Sequence, residues 1–244
     1  MKFLHKFEIT VDEYYGEVLD TKEIFFKTLK NKTRKLAFFI VICLATDIGI
    51  FLLFPDRIFI TYLGTITVIL PWIFLGVWIL LIYFEIRKAF WKQLAKKYGW
   101  EYTPNKDITR EKALVFNTGH SKIAYNGIQG FDNGLPIHIF EYQYTIGSGK
   151  SSHTYFLTIF EFKFAGTFPH LYLNYKGDWY SNSSSPFTSF AKISLPGEFE
   201  KKFKLYSPKE YEIETLEIFT PSLFSALLQS DWNYDMEFVD GELI

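Results

Sequence analysis

The stretch LPIHIFEYQYTIGSGKSSHTYFLTIFEFKF, residues 135–164, decides how the soluble part of this chain is read. In its first half Phe140, Tyr142, Tyr144 and Ile146 alternate with Glu141, Gln143 and Thr145, with His138 breaking the pattern. Its second half sets Phe156, Phe160, Phe162 and Phe164 on one face, with Glu161 and Lys163 opposite. A period of two over such runs is the mark of β-strands. Gly147-Ser148-Gly149-Lys150 between them reads as a hairpin loop, whose glycines supply positive φ angles. A turn centred near Ser148 sets His153 opposite Tyr144 and His138 opposite Ile159, so the two histidines do not meet. The Gly-Lys-Ser triplet is no phosphate loop. That pattern needs a glycine where Tyr144 stands, and a helix after the lysine.

Further short runs extend the strand pattern on both sides: 113–116, 122–128, 170–175, 199–206 and 235–239. TPSLFSALLQ, residues 220–229, opens with Thr220 as N-cap and Pro221 as first helical residue, and places Leu223, Leu227 and Leu228 on one face. The run 177–187 is a polar loop. Residues 100–244 are therefore expected to form a mostly antiparallel β domain with a packing helix, of the α+β class.

Upstream the character changes. Residues 36–54 and 58–84 are almost free of charge, apart from Asp47, and are separated by Pro55-Asp56-Arg57. About 20 apolar residues cross a bilayer, so the expectation is a transmembrane helical hairpin. Lys27, Lys30, Lys32, Arg34 and Lys35 precede it, and Arg87, Lys88, Lys92, Lys96 and Lys97 follow it. Such flanks keep both termini cytoplasmic in a multi-pass protein of the cytoplasmic membrane. Folding the hairpin about Asp56 places Asp47 opposite Thr65, a candidate polar clip between the helices. The division is then a segment at 1–35, two helices at 36–54 and 58–84, a basic juxtamembrane helix at 85–99, and the domain at 100–244. The basic residues at 87, 88, 92, 96 and 97 are candidate contacts with an anionic lipid surface.

IQGFDNGLPIHIFEYQYTIGSGK and GEFEKKFKLYSPKEYEIETLEIFTPSLFSALL resemble a family of bacterial two-helix membrane proteins whose soluble part is a domain of unknown function. The resemblance implies the architecture and a bacterial membrane location. It implies no catalytic residue.

Chemistry is sparse in the rest of the sequence. One cysteine, Cys43, allows no intrachain disulfide and no cysteine-based zinc site. The five histidines, His5, His120, His138, His153 and His170, lack the spacing of a metal-binding helix. No cofactor pattern is present, and a net charge of −1 gives no electrostatic case for nucleic acid. His120 beside Ser121 reads as turn chemistry. Nine acids against one base, Lys209, fill residues 205–244: Glu210, Glu212, Glu214, Glu217, Asp231, Asp235, Glu237, Asp240 and Glu242. The expected function is a non-enzymatic binding or assembly domain that offers this acidic face to a basic protein partner. The alternatives are a tethered hydrolase centred near His120 or His138, and an anionic-lipid-binding domain.

Overall fold

The computed structural model describes residue 30, residues 37–42, 45, 48–49, 57–166, 168–177, 190–195, 197–230 and 232–244, with the backbone alone for 57–68, 70 and 71. The chain divides into two compact units, one of residues 16–94 and one whose described residues lie between 95 and 244.

In the first unit residues 37–42 are helical and a long helix, α1 (Arg57–Tyr98), follows. Phe39 packs on Phe74 with ring centroids 5.1 Å apart. The expected transmembrane hairpin is corrected here, and with it the multi-pass placement in the cytoplasmic membrane. Among the described residues no helix is long and apolar enough to cross a membrane. Asp47 lies outside the described residues, and so does the side chain of Thr65, although its backbone is helical.

The second unit holds nine described strands in one antiparallel sheet: β1 (Glu101–Lys106), β2 (His120–Asp132), β3 (Leu135–Ile146), β4 (His153–Lys163), β5 (Leu171–Tyr175), β6 (Phe190–Ile193), β7 (Phe203–Pro208), β8 (Met236–Val239) and β9 (Glu242–Leu243). The order across the sheet is β1-β2-β3-β4-β9-β8-β5-β7-β6. The helices are α2 (Leu114–Asn117), α3 (Gly197–Lys202), α4 (Glu212–Ile218) and α5 (Pro221–Gln229). β3 and β4 coincide with the two alternating runs. Residues 113–116, expected as a strand, instead turn into α2, because Glu237 accepts the Leu114 amide at 2.9 Å on both carboxylate oxygens and fixes a helical start. Residues 199–206 divide between α3 and β7.

Two apolar clusters sit on the sheet. One gathers Leu171, Leu173, Phe199, Phe203, Leu205, Phe219, Phe224 and Leu227 on the β5–β9 half. There α5 opens as its sequence reads: Thr220 Oγ1 accepts the Leu223 amide at 3.3 Å, and Pro221 is the first helical residue. Phe224 and Leu227 face inward, and Phe199 meets Phe224 at 4.4 Å. The other cluster lies on the β1–β4 half, where Phe116, Phe140, Tyr142, Tyr144 and Ile159 pack together. Tyr142 stacks on Tyr144 at 5.6 Å and Tyr144 on Tyr155 at 5.1 Å. Tyr144 and Tyr155 stand directly opposite across the two strands, and an aromatic cross-strand pair stabilises a sheet beyond the area it buries.

Candidate functional site

The register of the β3–β4 hairpin builds the first candidate site. His138 stands opposite Glu161 and Tyr144 opposite Tyr155, two residues away from the register expected of a turn at Ser148. The loop is longer than it reads: Gly147 (φ 84°) and Gly149 (φ 56°) carry the chain through a 3-10 turn, Gly149–Ser151. A β-carbon at Gly147 would lie 2.4 Å from the Ser151 carbonyl oxygen, so this turn needs glycine there.

Glu161 is almost completely buried, and side chains from two other strands partner it. Lys106, from β1, pairs with it directly. His138 Nδ1 lies 3.4 Å from its other oxygen. Burial pushes the Glu161 carboxyl upward, but hydrogen bonding from His138 and the charge and hydrogen bond of Lys106 outweigh it, so its pKa is lowered. Lys106 also lies 4.6 Å from the centre of the Phe140 ring, a cation–π contact in a site largely shielded from water. With Nδ1–H donating to the carboxylate, a neutral His138 accepts the Thr103 hydroxyl at Nε2, 3.3 Å away. Gly127 makes room for this contact. A β-carbon there would lie 2.3 Å from Thr103 Oγ1 and 2.8 Å from His138 Nε2. Gly127 follows Asn126 (φ 52°) at a bulge in β2, and the Asn126 amide donates to buried Glu141 at 2.6 Å.

Carboxylate oxygens of Glu111, Glu161 and Glu242 come within 4.8 Å of one another, the only such candidate metal group among the described residues. Lysines already answer these charges: Lys106 lies 3.1 Å from Glu111, and Lys163 lies 2.8 Å from Glu242. The other described histidines stand apart. His170 Nε2 meets Glu237 at 2.5 Å, and His153 pairs with Ile146 at the strand end. His120 and Ser121 do touch: Ser121 Oγ is 3.0 Å from Nδ1, while Nε2 is 2.9 Å from the Gly147 carbonyl oxygen. This contact ties β2 to the exposed loop. Sequence reasoning does not single out Lys106, Glu161 or Thr103; the two-residue extension of the loop is what brings Glu161 to His138.

The acidic end of the chain divides in two. Asp235 accepts the Tyr172 hydroxyl at 2.6 Å and the Tyr175 amide at 2.7 Å. Glu237 is buried, Asp240 pairs with Lys112 at 2.6 Å, and Glu242 with Lys163. Asp235 and Glu237 are thus tied into the fold, while the Asp240 pair is exposed. Glu210, Glu212, Glu214 and Glu217 are all exposed, on α4 and the 3-10 turn Lys209–Tyr211 before it. Among the described residues none of the four has an ion-pair partner within 4.0 Å. Between them Tyr211, Ile213 and Leu216 are 43%, 73% and 44% exposed. The opposite side of α4 is anchored by Thr215, fully buried, whose hydroxyl donates to the Tyr211 carbonyl at 2.5 Å and lies 2.8 Å from Ser207 Oγ. Glu212 and Glu214 suit the first turn of a helix. Glu217, in the last turn, faces an unfavourable dipole.

Of the candidate lipid contacts, Arg87 bonds to the Tyr83 hydroxyl, and Lys88, Lys92, Lys96 and Lys97 lie along α1. Lys97 lies 5.8 Å from the Tyr98 ring centre.

No protein-family model matches this chain, and no curated protein does. Among solved structures it is similar to the crystal structure of the mycobacterial trehalose monomycolate transport factor A, TtfA, at 16% identity and a TM-score of 0.45, over 64% of this chain and 77% of that one.

Proposed function

We propose that the β domain is a non-enzymatic binding module that docks a basic, amphipathic protein partner through α4. The observation that carries this reading is the exposed Tyr211–Ile213–Leu216 surface rimmed by four carboxylates. An exposed apolar patch with a charged rim costs solubility unless a partner covers it. Uncompensated carboxylates steer a basic partner toward that patch. Co-purification with a C-terminally tagged full chain tests it. A partner that is retained by the parent and lost from both Ile213→Asp and the Glu212→Lys/Glu214→Lys pair supports the reading. Equal recovery from all three chains contradicts it. Anionic lipid is a second contact, through Lys88, Lys92, Lys96 and Lys97. Changing Lys92, Lys96 and Lys97 to Gln should weaken binding to anionic vesicles.

A hydrolase is the second reading, favoured by one geometric fact: Thr103 Oγ1, His138 and Glu161 follow the order hydroxyl–imidazole–carboxylate. Against it, Lys106 shares the carboxylate, and a threonine hydroxyl is a hindered nucleophile. Covalent labelling by a fluorophosphonate that disappears in Thr103→Ala would favour this reading over the first. An unlabelled parent would remove it.

A further inference from the structure

We infer that the outer edge of β4 pairs with β4 of a second copy of this chain. This interface is separate from the α4 surface and independent of it. β4 runs from His153 to Lys163, but β9 is paired to it only at Phe162 and Lys163. Among the described residues no strand is laddered to the preceding part of that edge. Exposed strand edges are normally blunted by proline, charge or brevity. The two terminal strands of the sheet follow this rule: β1 carries Glu101, Pro104 and Lys106, and β6 is four residues long and contains Lys192. The part of β4 before the β9 contact, HTYFLTIF, has no proline, glycine, aspartate, glutamate, lysine or arginine. It is also apolar toward solvent, with Phe156 68% and Leu157 38% exposed.

The sequence of this edge suits itself. An antiparallel pair centred on Phe156 sets Phe156 beside its own copy, Thr154 opposite Thr158, and His153 opposite Ile159. Aromatic and threonine pairs of this kind are favourable across strands, and no like charges oppose each other. The pairing would run from residue 153 to residue 159 and stop before the β9 contact. Because it is two-fold, both copies use the same edge, so it closes as a dimer and propagates no fibre.

Cross-linking of the full chain tests the arrangement. In a Cys43→Ser background, Phe156→Cys places the two thiols at the symmetry axis, within reach of a short bis-maleimide. Dimer cross-linking is expected there, and is not expected for Phe131→Cys, whose parent side chain is equally exposed at 69%. Adding Thr154→Lys and Thr158→Lys opposes two lysine pairs across the axis and should cut the cross-linking rate by about tenfold or more. Ile213→Asp should leave that rate unchanged. The inference is overturned if the thiol at 156 takes up the reagent without joining two chains. It is also overturned if the paired lysines have no effect. Neither result bears on the α4 reading.

Discussion

Acidic side chains do opposite work in two regions of this domain. In the β1–β4 half Glu161 and Glu141 are buried, each held by side chains from other strands. On α4 and the turn before it, Glu210, Glu212, Glu214 and Glu217 stand in solvent around exposed apolar groups. A buried carboxylate is costly unless it is paired, so such groups fix which strands meet and in what register. An exposed one contributes little to stability and much to the field a partner meets. Position, and not composition, separates acids that hold the fold from acids left in solvent.

The sharpest break of that comparison comes from removing a buried acid. Glu161→Ala leaves Lys106 and His138 facing each other without their carboxylate, and should cost about 3–5 kcal/mol in urea unfolding. Gly127→Ala comes next. Its β-carbon would overlap Thr103 and His138, a loss of about 1–3 kcal/mol by overpacking. Adding Thr103→Ala should recover part of that loss, because it removes one of the two clashing groups.

The pH dependence sharpens the contrast further. The Glu161 carboxyl is held below its ordinary value, about 4.3, so its stabilisation is present in full above that pH. It is lost as pH falls toward the lowered folded value. The stability difference between parent and Glu161→Gln, measured by urea unfolding at a series of pH values, should therefore be constant near neutrality and shrink below about pH 4. The smallest effect is expected at α4. Glu212→Gln, Glu214→Gln and Glu217→Gln together should change stability by no more than about 0.5 kcal/mol, while slowing association with a basic partner.

The strands with clear alternation are legible in the sequence: β3, β4, β5 and the body of β2, together with α5 and its Thr220–Pro221 start. The pattern fails where tertiary contacts rule. α2 depends on Glu237, more than a hundred residues away, and the short strands β6 and β9 are too brief to show a period. α4 is only seven residues long, too short to show a helical period, and its buried Thr215 anchors it to the fold. The site around His138 is hidden because Gly147 and Gly149 suggest a shorter turn than they make. Two residues of slip carry Glu161 from beyond the histidine to directly opposite it. The membrane hairpin is the expectation that fails outright: among the described residues no helix is long and apolar enough to cross a membrane.

The central claim, that α4 is the docking surface, is tested most directly by a photo-reactive residue placed at Ile213 in the full chain, inside living cells, with Phe131 as the control position. The account predicts one defined adduct from position 213, none from 131, and loss of the 213 adduct when Glu212, Glu214 and Glu217 become Lys. An adduct from 131 alone, or a 213 adduct indifferent to those charges, would contradict it.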